Sequence, residues 1–270
     1  MAIRTLCLTS ALALSAGTAM ADMSFNRIAS FAVKANMAEG EDTARETSAE
    51  IIAATEDGMT LAYTDSPLEA LGLIDITDPA NPKPLGNIVA EGEPTSVGIY
   101  GTTAFAGVNT SESYTDPSGF LMSFDAKTGE EIGRCDLGGQ PDSVAVAKDG
   151  SLVAVAIENE RDEDLGDGRT GQMPAGFVAI VPLADGIMNC DGIITADVTG
   201  LAEVSPEDPE PEYVSINGEN EIVVTMQENN HMVVVSAAGD VISHFSAGSV
   251  DLHNIDATDE RGALIFNETQ

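Results

Sequence analysis

Positive charge is what this 270-residue sequence has least of: 11 Lys and Arg stand against 45 Asp and Glu, a formal charge of −34. The few basic residues are scattered, which excludes a phosphate-gripping patch of arginine and lysine and, with it, nucleic acid as a partner. A surface this negative also repels anionic lipid. It suits the binding of cations, and it equally suits simple solubility in a salty medium. Long apolar runs are missing too. After the first 21 residues nothing approaches the roughly 18 unbroken apolar residues of a membrane-spanning helix, so no membrane span is expected. No G-x-S-x-G elbow, no P-loop and no Cys-His pairing is present, and nothing commits the chain to catalysis.

The first residues do form a pattern. Met1-Ala-Ile-Arg4 is followed by an apolar stretch from Leu6 to Ala16 and by the small-residue site Ala19-Met20-Ala21. These are the three parts of a secretory signal peptide, residues 1–21, with the mature chain starting near Asp22. Cys7 lies inside the apolar region and not directly after a cleavage site, which argues against a lipoprotein. Cleavage removes Arg4 and no acid, so the mature charge is −35. The protein is expected to be exported, periplasmic or extracellular. An oxidising compartment permits a disulfide between Cys135 and Cys190, the two cysteines that remain, against the alternative of two unpaired buried thiols.

Helical periodicity is hard to find beyond the leader. Short apolar runs bounded by Gly, Pro, Asn and Asp dominate, the signature of an all-β chain. Four segments align: "TSAEIIAATEDGMTLAYTDS" (47–66), "PTSVGIYGTTAFAGVNTS" (94–111), "PDSVAVAKDGSLVAVAIEN" (141–159) and "PEYVSINGENEIVVTMQENN" (211–230). Each reads as a strand, a Gly-bearing turn, a second apolar strand and a polar cluster. A third strand follows each, as in "GFLMSF" or "HMVVVS", and usually a turn leading to a fourth. Four strands per unit at a spacing of about 45 residues is the pattern of β-propeller blades. The predicted blades cover 46–91, 92–138, 139–202 and 210–256, with a partial fifth at 257–270 and a lead-in strand and linker at 22–45. "IDATDERGALIFNETQ" stops abruptly on a strand-like run, so the chain is expected to be the N-terminal part of a longer polypeptide with an incomplete ring, a closed five-bladed ring being the other reading.

First strands of a propeller line its channel, and the blade-to-blade loops share one face with the loops between second and third strands. That face receives Glu50, Asp142 and Glu212 near the start of first strands, and the clusters containing Glu158, Asn159, Gln227, Asn229 and Asn230. These are the candidate ligand-binding residues. The competing reading is that Asp142 and Glu212 accept backbone N–H groups of tight inter-blade turns, and that the amides satisfy turn backbone. The run "ENERDEDLGDG" becomes an enlarged loop over the channel rim. Asp162, Asp164 and Asp167 have spacing suited to a calcium loop. The EF-hand pattern fails, because the twelfth position from Asp162 is Met173. The alternative is a solvated loop partly neutralised by Arg161 and Arg169. "GDGRTG" (166–171) follows an acidic run and precedes Gln-Met-Pro, not the strand-to-helix setting a dinucleotide needs. His244 and His253 lack a cysteine or third histidine at metal spacing and read as structural or surface residues.

The repeats carry a resemblance. "SAEIIAATEDGMTLAYTDS", "GGQPDSVAVAKDG", "AIENERDEDLGDG", "VTMQENNHMVVVS" and "FSAGSVDLHNID", spread over the mature chain, are similar to bacterial exported proteins called esterase-like activity of phytase, close to the choice-of-anchor I group and often labelled alkaline phosphatase. The resemblance implies an N-terminal propeller of the YVTN or quinoprotein-like kind, with the phytase-like esterase region following in longer members. It leaves three functions open: a binding or scaffold domain with a ligand or divalent cation at the channel mouth, a calcium-dependent phosphoesterase, and a surface module for another protein. Calcium is the cofactor these imply, with a small anionic ligand held through it.

Overall fold

A computed structural model describes residues 26–166 and 170–255 and the backbone of 268–269; side chains are described through 253. The leader, Asp167, Arg169 and most of the partial fifth unit lie outside the described residues. The chain is all-β, a β-propeller of four-stranded antiparallel blades. Blade 1 comprises β1 (Ala49–Ala54), β2 (Thr60–Asp65), β3 (Ala70–Asp75) and β4 (Lys83–Val89). Blade 2 comprises β5 (Glu93–Tyr100), β6 (Thr103–Asn109), β7 (Gly119–Asp125) and β8 (Glu131–Asp136). Blade 3 has β9 (Pro141–Val146), β10 (Leu152–Ile157) and β11 (Phe177–Ala184), its outer position shared by β12 (Ile187–Met188) and β13 (Ile194–Ala196), which both pair with β11. Blade 4 comprises β14 (Tyr213–Ile216), β15 (Ile222–Met226), β16 (His231–Val235) and β17 (Val241–Ser246). Beyond it β18 (His253–Ile255) pairs with β19 (Glu268–Thr269).

The core lies between blades, not within them, and the strand sequences show why. β10 reads LVAVAI and is buried at every position. Val153, Val155 and Ile157 pack with Phe105 and Leu121 of blade 2, while Ala154 and Ala156 pack with Val224 and Val233 of blade 4. A strand covered on both faces needs an unbroken apolar run. β15 and β16 in blade 4 alternate buried and half-buried residues, because blade 3 covers one of their faces. Within blade 1 the Tyr63 ring lies flat on Gly72, where a Cβ would fall 2.0 Å from the ring's Cζ; only glycine fits beneath it.

First strands of successive blades lie side by side around the channel without a backbone ladder. Buried serines join them: Val144 N–H donates to Ser96 Oγ at 3.0 Å, and Val214 N–H to Ser143 Oγ at 3.2 Å. Ser66 Oγ makes a related link from blade 1, donating to Pro94 O, and Thr95 Oγ1 adds a second at the blade 2–blade 3 junction, donating to Pro141 O, each at 3.0 Å. At the periphery a disulfide joins Cys135 of β8 to Cys190, with 5.2 Å between the Cα atoms, so it ties blade 2 to blade 3.

Of the predicted lead-in strand and linker at 22–45, residues 26–45 are described. Among residues 26–48 there is no strand; Val33–Asn36 form a 3-10 turn against blade 1. Asn36 is buried there, donating to Tyr63 Oη at 2.9 Å and accepting Gly86 N–H at 3.1 Å. One side chain answering two blade groups holds the segment by docking, and no β-ladder forms.

Replacing Ser143 by alanine leaves the Val214 N–H buried without its acceptor, which costs about 1–3 kcal/mol. Urea unfolding of the Ser143→Ala variant should show that loss as a lower midpoint with an unchanged slope.

Candidate functional site

The loops on the channel-mouth face close by one repeated device. Asn159 Oδ1, just past β10, accepts Gln140 N–H at 2.9 Å, and its Nδ2 donates to Ala175 O. Asn229 Oδ1, at the same place in blade 4, accepts Glu210 N–H at 2.9 Å, and its Nδ2 reaches Asp208 O at 3.0 Å. Asp65 Oδ1 accepts Ser48 N–H in blade 1. Both asparagines are buried, and their amides are committed to turn backbone and not to the channel. Asn230, in the left-handed region at φ 50°, donates to Gly248 O, and Gln227 is exposed. The backbone-satisfying role considered for Asp142 and Glu212 is thus filled by the residues that end second strands.

That leaves the carboxylates at the first-strand starts. Asp142 on β9, Glu158 directly after β10 and Glu212 directly before β14 are all half-buried, and their charges act on one another across the blade 3–blade 4 junction. Burial, then Glu160 and Glu93, push Asp142 up to about 6. Burial, then Asp142, Glu160, Glu212 and Glu210, push Glu158 up to about 9. Burial, then Asp142, Glu228 and Glu210, push Glu212 up to about 7. Desolvation and like charge both disfavour ionisation, so they add. Glu50 is exposed on β1, its carboxylate 3.2 Å from Ser66 Oγ, apart from this group.

The rim loop is exposed from Glu163 to Gly166, but Arg161 at its root turns inward. It is 2 % exposed, its Nε 3.1 Å from Asp208 and its Nη2 2.9 Å from Glu210. Its backbone N–H also donates to Glu210 Oε1 at 2.7 Å. The acidic loop is therefore clamped onto the 201–212 segment that leads into blade 4. Gln172 extends the clamp, its N–H donating to Asp208 Oδ2 and its Oε1 accepting Asp162 N–H. Gly176 completes it, because a Cβ there would lie 2.4–2.6 Å from three backbone oxygens, those of Ile157, Glu158 and Pro209. Burial pushes Glu210 up to about 7 against the pull of Arg161. Asp162 Oδ1 accepts Asp164 N–H at 3.0 Å, an Asx turn, and Asp164 is exposed. Among the described residues no group of three or more His, Cys, Asp or Glu side chains is arranged to hold a metal ion.

Glu93, Glu210 and Asp208 escaped the sequence reading, and Glu160 entered it only as part of the acidic run. One signal was available. Glu93, Gln140 and Glu210 each precede a proline at the start of a first strand. That position aligns all three at the mouth.

The choice-of-anchor I domain profile matches residues 50–270. No curated relative matches the chain. Similar solved structures include Kuenenia stuttgartiensis hydrazine synthase, 17% identical, TM-score 0.53, covering 69% of this chain and 52% of that one. A provisionally assigned 6-phosphogluconolactonase from Bacteroides uniformis is 15% identical, TM-score 0.54, with coverage of 78% and 59%. A chain of the mitotic checkpoint complex is 13% identical, TM-score 0.52, with coverage of 76% and 55%. At these identities the likeness is one of fold. This chain spans between half and two thirds of the length of each. No helix among the described residues is long and apolar enough to cross a membrane.

Two outcomes follow. Acids raised in the folded state bind protons more tightly folded than unfolded, so their contribution to stability is present below the ordinary carboxyl value near 4.5 and is lost as pH rises through about 6 to 9. Thermal melts should therefore show the highest stability in mild acid and a fall that begins near pH 4.5 and ends by about pH 9. Glu158→Gln should flatten that fall and raise the melting temperature at pH 8 by about 2 °C or more. Removing Arg161 strands two buried carboxyls, and Arg161→Met should cost about 3–5 kcal/mol in urea unfolding at neutral pH.

Proposed function

This chain belongs to the choice-of-anchor I domain family, and from that premise we propose that it is an exported β-propeller binding module whose channel mouth takes a divalent cation, calcium by its donor set. The observation that supports this reading is the mutual charge of Asp142, Glu158 and Glu212, half-buried carboxyls drawn from two adjacent blades. Such a group is costly when it ionises without a counter-charge. Carboxylate oxygens in a flexible setting suit calcium. Arg161, the basic side chain of the acidic run nearest these groups, is consumed by Asp208 and Glu210. Recognition of an anionic ligand here would accordingly pass through the cation. The three carboxyls are not gathered at ligating distance, so binding requires their side chains to swing together, which the exposed edge of each permits. Asp162 and Asp164 on the rim loop, with Asp167 beyond them, would offer further oxygens. The phytase-like hydrolysis suggested by the sequence resemblance belongs to a phosphoesterase reading, in which that same cation polarises a phosphate ester.

Calorimetric titration of calcium into chelator-stripped protein tests the reading. Binding to the folded state must raise the melting temperature by mass action. Because Glu158 and Glu212 carry protons near neutrality, binding at pH 7 should release protons, and the measured heat should change with the buffer's ionisation enthalpy. The double variant Glu158→Gln, Glu212→Gln should lose the signal. A flat titration at millimolar calcium would remove the cation from the proposal, and calcium-dependent cleavage of a chromogenic phosphate ester would favour the esterase reading.

A further inference from the structure

Blade 4 carries a pair of histidines that the channel mouth does not use. His231 opens β16 and His244 lies on β17; in the ladder His231 faces Ser246 and Val233 faces His244. The two histidines are therefore diagonal neighbours on one face of the sheet, the distance at which long side chains of adjacent strands meet. They do meet: His231 Nε2 lies 2.9 Å from His244 Nδ1, with ring centroids 5.2 Å apart and planes tilted by 36°. His231 is 6% exposed and His244 is open to solvent.

A nitrogen–nitrogen hydrogen bond is one state of such a pair, and a shared metal is the other. Two imidazole nitrogens at about 2.05 Å from a tetrahedral zinc stand about 3.3 Å apart. The observed separation is a few tenths of an ångström short of that value, and the exposed His244 ring is the one with room to turn. The two nitrogens face each other across the hydrogen bond, so a shared metal requires the rings to tilt until both lone pairs converge beside it. Glu203, on the segment between blades 3 and 4, is near enough to act on His231 by charge and is exposed, so its carboxylate can swing toward the pair.

We propose that His231 Nε2 and His244 Nδ1 form a two-nitrogen surface chelate for an imidazole-preferring divalent metal, zinc or nickel, with water in its other positions and Glu203 supplying nearby negative charge. The chelate is independent of the channel mouth. Its ligands are nitrogens, which favour late first-row metals, whereas the mouth offers only carboxylates, which favour calcium and magnesium. Metal binding here staples β16 to β17.

The test is a zinc titration of the full chain by calorimetry with calcium present in excess, so that the carboxylates are already occupied. The parent should take up one equivalent of zinc and melt at a higher temperature. His244→Ala, a change at an exposed position that leaves the fold intact, should weaken zinc binding by at least about ten-fold, the smallest loss expected for a direct ligand when supporting groups alone account for 10–100-fold. Glu158→Gln should leave zinc binding unchanged. An unaltered zinc isotherm in His244→Ala overturns the site, as does loss of zinc binding in Glu158→Gln or a parent that takes no zinc above the calcium background.

Discussion

Neighbouring blades of this propeller meet at strands whose backbones do not pair, and the buried serine hydroxyls of Ser96 and Ser143 are what connects them. Each accepts an N–H from the next blade's first strand. Those amides would otherwise be buried donors with no partner, a cost comparable to a lost hydrogen bond apiece. With the serines in place, the remaining work between blades is done by apolar side chains. Small residues, Ala104, Ala106, Ala154 and Ala156, let the sheets approach closely near the axis. The disulfide between Cys135 and Cys190 repeats the connection at the periphery of blades 2 and 3.

The site follows from the same geometry. Once first strands are held side by side, whatever starts them is brought to one ring of positions. The chain fills those positions with acids. Asp142 and Glu212 come from consecutive blades, and Glu158 stands between them because the second strand of blade 3 ends there. Their half-burial and mutual repulsion make a region that is easier to fold protonated than ionised, and that holds a standing demand for positive charge. Arg161 meets a neighbouring instance of that demand in full, with two buried carboxyls around one guanidinium. The mouth itself has no such internal partner supplied by Arg161.

The acidic run after β10 illustrates how misleading composition can be at a single loop. Its charge density suggests solvation, yet its arginine is among the most buried side chains described. Burying an ion pair of this kind is poor evidence for stability gained, since desolvation offsets much of the attraction. Its effect is positional. The rim loop of blade 3 is locked to the segment that leads into blade 4, and Gly176 lets the returning chain pass through a gap lined by three carbonyl oxygens.

Much of the fold was legible in the residues themselves. The repeat of two apolar strands, a polar cluster and a third strand, with "EPTS", "QPDS" and "EPEY" at its starts, specifies four-stranded blades, because strand alternation and turn chemistry are local properties. Family membership rests on the same phrases. The sequence also placed Asp142, Glu158 and Glu212 on one face, since strand order alone decides which loops share an end. It could not tell the amides of Asn159 and Asn229 from ligand groups, nor see that Arg161 turns inward, nor bring His231 and His244 together. Each of those depends on which side of a strand or loop a residue occupies and on what the adjacent blade puts opposite it. Register and inter-blade packing decide that, and both are set only when the sheets have stacked.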